Sequence, residues 1–457
     1  MKIPFKYFPL LKYNETNPST IYKGLISVKL YTILKLGNPQ QSVHLPLDMD
    51  SNDFYIANSA EYSFIDYPNY FQDLMFFKDN ISTTLDCLDP SGLSGDNFDF
   101  GLYYKDNFEF GDKKSEFEFY LSMSGLRSPE SGGIGMQLNP RTSVPEATPN
   151  ETRSFLKKLK DHKLTNDYWW TVFYNSKTNY VKDEEGFVLI GSLPDEIGEK
   201  LGYYSTNAFK NVNFKKTNAI SYYNQSLNQF FYDEINVYDK NNNIVNISFS
   251  SKASLKVDLN FNVGGIKAPK HVLTYFEEKV FNEFITKNEC FKETSYYSSF
   301  IFFYCKNNKN TISEVKNKMP TFKFKNFDFD TIFEITADDI FYQQGDFVYC
   351  LMYTESSAAL STSWILGKPF LKKYQFVFNP DSKIIGFYAN VQGDNSVSWK
   401  TFIIVIIIVI IVVIVVCAII GKILFDKFRR KKRANELSDE DFDYTQKEDS
   451  TNKLGVN

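Results

Sequence analysis

Histidine is scarce in this chain: only His44, His162 and His271 occur among 457 residues, and none belongs to an H-E-x-x-H pair. No C-x-x-C is present either, so no ligand spacing for zinc exists and neither a metal nor another cofactor is expected. A G-x-S-x-G elbow is also missing, which removes the main sequence support for a serine triad. The net charge of −4 gives no electrostatic reason to expect nucleic acid as a partner. The opening "MKIPFKYFPLLKYNE" lacks an uninterrupted apolar core, because prolines at 4 and 9 and several charges break it. It does not read as a signal peptide, and the expectation is that a signal sequence precedes this start.

Charge is absent from one further stretch, "FIIVIIIVIIVVIVVCAII" at 402–420. At ~1.5 Å per residue this run would span about 28 Å, close to the thickness of a bilayer core. It has no turn residue inside, so a buried strand pair is excluded and a single transmembrane helix is expected. Lys422, Lys427, Arg429, Arg430, Lys431, Lys432 and Arg433 follow it, whereas Lys400 stands nearly alone before it. The positive-inside rule then places 421–457 in the cytosol and 1–400 in the lumen or outside the cell, on the secretory or endolysosomal route or at the cell surface. Asn14, Asn80, Asn150, Asn224 and Asn246 each open an N-x-Ser/Thr triplet, and all precede the span, as glycosylation sites of an exported domain should. Cys417 lies in the span, which leaves Cys87, Cys290, Cys305 and Cys350 in an oxidising compartment where pairing is expected and three connectivities are open.

The residues before the span read as mainly β. Val28, Leu30, Thr32, Leu34 and Leu36 alternate on one face, and Phe322, Phe324 and Phe327 interleave with Lys323, Lys325 and Asp328, the period of half-buried strands. "FVFNPDSKIIGFY" predicts a hairpin turning at Asn379, Pro380, Asp381 and Ser382. Helical signals are few, the best being 152–164 with Phe155, Leu156 and Leu159 on one stripe; His162 on that segment is expected at the surface.

Four segments carry a resemblance. "LGNPQQSVHLPLDMDSNDFYI", "SGGIGMQLNP", "SLKVDLNFNVGGIKAP" and "STSWILGKPFLKKYQFVFNPDSKIIGFY" occur in this order. They resemble the G-T-P-x-Q and D-T-G-S segment, the D-G-I-L-G-L segment, the second aspartate loop and the W-I-L-G-D-x-F-L strand with its closing hairpin in pepsin-like aspartic proteases. The resemblance implies a bilobal, mainly β fold with a central peptide cleft. An N-terminal lobe would occupy 1–200 and a C-terminal lobe 201–393, followed by a stalk at 394–401, the helix at 402–420 and the tail at 421–457. Asp48 and Asp258 fall on the two catalytic aspartates, and Ser51, Tyr55 and Ser94 on positions lining the substrate site. It also implies a disulfide between Cys305 and Cys350 in the C-terminal lobe, with Cys290 as the competitor, and a prosegment of which no usual length fits here.

In such a pair one carboxylate acts as base on a bound water while the other polarises the scissile carbonyl, and the two share one proton. The surroundings depart from the family. Its D-T-G threonines, which hydrogen-bond between the loops, are replaced by Met49 and Leu259, and its glycines by Asp50 and Asn260. Phe261 stands at the second hydroxyl position, Tyr55 at a tryptophan, Ser94 at the flap tyrosine and Lys368 at the aspartate after W-I-L-G. Asp50 adds a third carboxylate, and like charge disfavours ionisation. Two readings follow: a membrane-anchored aspartic endopeptidase with weakened activity, or an inactive pepsin-like protein that binds peptides or mediates adhesion. A purely structural surface protein, with no peptide affinity in the cleft, is a more distant third. The acidic "ELSDEDFDY" of the tail, with Ser438 before its acids, reads as a solvated linker.

Overall fold

The computed structural model describes residues 1–9, 17–49, 51–58, 77–93, 100–111, 113–124, 132–138, 154–174, 185–194, 212–216, 229–245, 247, 255–294, 300–326, 331–355, 363–388, 420–425 and 427. Met1–Gln392 forms one compact unit and Gly393–Asn457 another. In the second unit residues 420–425 and 427 are helical. The expected stalk and all of the expected span except Ile420 lie outside the described residues, as do Asn14, Asn150, Asn224 and Asn246. Among the described residues no helix is long and apolar enough to cross a membrane.

The first unit is mainly β. Its larger sheet runs in the order Val212–Lys216, Ile384–Tyr388, Gln375–Asn379, Trp170–Tyr174, Glu185–Ile190, Lys2–Pro9, Val28–Leu36, Gln41–Asp48, Gly132–Gly135, Phe54–Ala57, Lys113–Ser124, Phe100–Phe110 and Asp86–Leu93. The sheet therefore crosses residue 200, because the C-terminal hairpin adds its strands to the N-terminal set. The alternation expected for 28–36 holds: Val28, Leu30, Leu34 and Leu36 are buried with Val43, Leu45 and Leu47 of the neighbouring strand. A strand whose alternate residues are apolar can bury one face and leave its other face for polar neighbours. Asn379 closes the predicted hairpin, its Oδ1 accepting from Asp381 N at 3.0 Å and Ser382 N at 3.1 Å. The expected helix is Phe155–Asp161, shorter than 152–164 but burying Phe155, Leu156 and Leu159 as read. Ser154 starts it by accepting from Lys157 N, a cap worth about 1 kcal/mol.

A second sheet holds Gln229–Phe231, Lys256–Leu259, Trp364–Leu366, Ile266–Lys267, Met352–Glu355, Phe300–Lys306, Phe347–Cys350 and Phe341–Gln344, with Cys290–Thr294 joined at Phe300–Lys306. The disulfide here corrects the expected pairing: Cys290 is bonded to Cys305, not Cys350. Strand register decides it. Cys290 and Cys305 sit directly opposite each other in an antiparallel pair with Cα atoms 3.9 Å apart, whereas Val348 faces Cys305 from the other side and Cys350 faces Phe341. Cys350 is a buried free thiol, pushed up to about 12 by desolvation, and Cys87 is free and exposed.

Candidate active site

The two aspartates lie at or next to the ends of strands that are framed alike. Asp48 closes Gln41–Asp48, which runs parallel to Gly132–Gly135 with Asp48 opposite Gly135; Phe54–Ala57 returns antiparallel on the far side of Gly132–Gly135. Asp258 lies in Lys256–Leu259, parallel to Trp364–Leu366 with Asp258 opposite Ile365, and Ile266–Lys267 returns antiparallel on its far side. In both frames a glycine stands at the end of the inserted strand or just past it, where backbone passes too close for a side chain. A Cβ at Gly135 would meet Ser51 O at 2.5 Å, and one at Gly367 would meet Val263 O and Gly265 O at 2.3 Å. The doubling implied by the motifs is thus present in the strand pairing.

The first loop is held by its own backbone. Met136 N donates to Asp48 O at 2.8 Å, Gln137 N to Ser51 O at 3.0 Å and Gly135 N to Asp53 O at 2.8 Å. The Gln137 amide also donates to Met49 O. Ser51 is buried, and its hydroxyl accepts from Asp53 N at 3.0 Å, so it stabilises the turn. Met49 and Leu259 are both buried in the core, filling by packing the positions where the family has threonine. Asp50 lies outside the described residues.

The loops are joined by a residue that motif reading passed over. Asn262 Nδ2 donates to Leu47 O at 2.8 Å, and its Oδ1 accepts from Leu30 N at 3.0 Å. Leu30 and Leu47 are the next opposed pair beyond Tyr31 and Pro46, so the carboxamide fills a gap in the ladder beside Asp48 just as a peptide group would. Asn262 N in turn donates to Asn260 Oδ1 at 2.8 Å, which shapes the second loop. Tyr7 adds another tie, its hydroxyl donating to Phe261 O at 2.9 Å. The expected loss of bracing hydrogen bonds is therefore corrected: the threonines are gone, but a neighbouring asparagine supplies donor and acceptor together. An asparagine four residues after each aspartate was the available signal, although only Asn262 makes this bridge.

Charges around the aspartates are unusual. Lys29 is half-buried, and burial lowers its pKa to about 8, opposed by the charge of Asp48. Lys256 Nζ lies 4.0 Å from Asp258 Oδ1, with the two side chains 35% and 21% exposed. Tyr55 is buried, and its pKa is raised by desolvation and then by Asp48 and Asp53. Its ring sits with Tyr120 and Tyr103, so it packs beneath the hairpin Asp86–Leu93 and Phe100–Phe110, whose connecting residues, Ser94 among them, lie outside the described residues. Gln41 anchors the base of this region by exchanging hydrogen bonds with the Lys78 backbone at 3.0 and 2.9 Å. Lys368 is fully buried with its ammonium 4.6 Å from the centre of the Tyr7 ring, where a desolvated cation gains from the aromatic face. His162 is not a plain surface residue: it contacts Glu118 at 2.9 Å and is half-buried.

Among the described residues no group of three or more His, Cys, Asp or Glu side chains could hold a metal ion. A comparison with curated proteins found no match. The family model described as eukaryotic aspartyl protease matches residues 29–390, a stretch that contains both aspartate frames and the closing hairpin. The chain belongs to the eukaryotic aspartyl protease family.

Proposed function

We propose that this protein is a membrane-anchored aspartic endopeptidase that cleaves peptides in a cleft between lobes formed by 1–200 and 201–393, using Asp48 and Asp258. The observation that carries this reading is the pair of equivalent strand frames, each with an aspartate at or next to its strand end and tied together by Asn262. One carboxylate takes a proton from water as the water attacks the scissile carbonyl, and the other donates a hydrogen bond to the carbonyl oxygen. No covalent intermediate is needed. Ser94 is assigned to the substrate side of the same cleft; Ser51 and Tyr55, expected there, are both buried and support it from beneath.

The second reading, peptide binding without turnover, is favoured by one specific set of residues: Met49 and Leu259 cannot donate hydrogen bonds where the family's threonines do. Misplacement of a reacting group by about 1 Å can cost ~100-fold in rate. Purified protein should bind a statine-type peptide in mild acid and hydrolyse a mixed peptide library, and Asp48→Asn and Asp258→Asn should each abolish hydrolysis. Equal inertness of wild type and both variants, with binding retained, would leave the receptor-like reading; no binding at all would leave a surface protein without a working cleft.

The anchor is proposed from the apolar run at 402–420 and the basic residues after it, with the N-terminal unit luminal or extracellular and the tail cytosolic. Asn80 is exposed in a short turn, as a glycan acceptor must be, and the other four sequons are assigned with it. Protease added outside sealed microsomes should trim only the tail; a protected tail would reverse this topology.

A further inference from the structure

We propose that Lys29 and Lys256 are built-in counter-ions of Asp48 and Asp258, so that the pair reaches its working one-proton state only in acid. The proposal rests on the aspartic protease reading and adds its regulation. Lys256 precedes Asp258 by two residues in the same strand, so both side chains leave one face, and their charged atoms are 4.0 Å apart. Lys29 lies on the neighbouring strand, where the charge of Asp48 acts on it. Tyr31 is paired with Pro46, and Lys29 and Asp48 each lie two residues further along these strands, so alternation puts both on the face that Tyr31 and Pro46 share. Each aspartate thus has its own lysine, supplied by different elements in the two halves.

Other titratable and charged groups pack around the two aspartates. Around Asp48, the strand Lys2–Pro9 contributes Lys6, and Gln41–Asp48 contributes His44, a buried imidazole whose pKa is lowered by desolvation and by Lys6. Tyr31 shares the face with Lys29, while Tyr55 and Asp53 come from the returning segment. Around Asp258, the strand registers set Gln229 and Ile365 opposite it, and Ile365 carries no charge. One strand further, Lys267 is occupied with Glu355 at 2.8 Å.

Two close carboxylates normally hold one proton because each opposes ionisation of the other. An ammonium beside each favours the charged form. The doubly ionised pair then persists to lower pH, and in that state neither carboxyl can donate to the scissile carbonyl. Lys29, lowered to about 8 by burial, is still a cation in acid and loses its charge only in mild alkali. The two lysines act through the charge they place beside the aspartates.

The test uses the full-length chain in detergent, with a statine-containing peptide as probe, titrated between about pH 3 and pH 8, where carboxylates and the pair ionise. Wild type should lose affinity as pH rises out of the acid range. Lys29→Met and Lys256→Met should each move that limb upward by about one pH unit, giving roughly tenfold tighter binding above it. Lys29→Arg, which keeps the charge, should retain the wild-type limb. An unmoved limb in both methionine variants overturns the proposal. A second readout separates its failure from failure of the protease reading: melting temperatures of Lys29→Met, Asp48→Asn and the double variant. If wild type binds no probe at any pH but the two substitutions are non-additive, the charge pairing stands and the protease reading falls. If it binds none and they are additive, both fall.

Discussion

Gly367→Ala should destabilise the first unit by at least about 3 kcal/mol, more than an ordinary overpacked core substitution, and should remove statine-peptide binding with it. The added methyl would stand 2.3 Å from both Val263 O and Gly265 O and 3.0 Å from Val263 C. All three atoms are backbone, so no side-chain rotation relieves the contact. They belong to the segment that turns from Asp258 back to Ile266–Lys267, and Lys368 N donates to the same Val263 O at 2.8 Å. Relief therefore requires the second aspartate loop to move. Gly135 is placed alike against Ser51 and Asn52, and its alanine variant should behave alike. Gly345→Ala is the control: its φ of +58° makes alanine strained, but nothing lies within 4 Å of the added atom. Only the backbone cost of roughly 1 kcal/mol is expected there. Denaturant midpoints of the three variants check the ordering, and a Gly367→Ala protein as stable as Gly345→Ala would contradict the close approach.

Asn262→Ala should lower turnover about 100-fold, the scale of a misplaced reacting group, while the fold survives at a cost of about 2–4 kcal/mol for two unpaired backbone groups. Leu30 N and Leu47 O lose their partner together, and Leu47 is the residue before Asp48. Asn262→Asp separates packing from bonding. An aspartate of nearly the same size still accepts from Leu30 N but turns a second oxygen toward Leu47 O, where a donor is needed. It should be no better than alanine, whereas a purely space-filling role would leave it close to wild type. Turnover, or statine-peptide affinity if turnover is too slow to measure, is compared at equal folded fraction, so that lost stability is not counted as lost function.

The sequence alone determined the strands and the helix whose apolar spacing is local. Val28 to Leu36 alternates within one strand, Phe155, Leu156 and Leu159 share one helical stripe, and the Asn379 turn is made by residues within three positions. Each of these signals is a short-range period or turn preference, and no distant partner can reverse it easily. Asp48 and Asp258 were legible for a related reason: each sits in a recognisable motif at a strand end. Tertiary structure decided what depends on register between distant segments. Cys305 has Cys290 on one side and the strand of Cys350 on the other, and only the hairpin pairing selects Cys290. Asn262 lies 215 positions from Leu47 and looks like any polar loop residue until the strand beside Asp48 leaves a gap that its carboxamide fits. Lys29 resembles a solvated strand lysine in sequence, yet the pairing of Tyr31 with Pro46 puts it on the same sheet face as Asp48. A side chain's chemistry is written in the chain, but its partner is chosen by which strands lie together, because hydrogen bonds and ion pairs act over a few ångströms and not along the sequence.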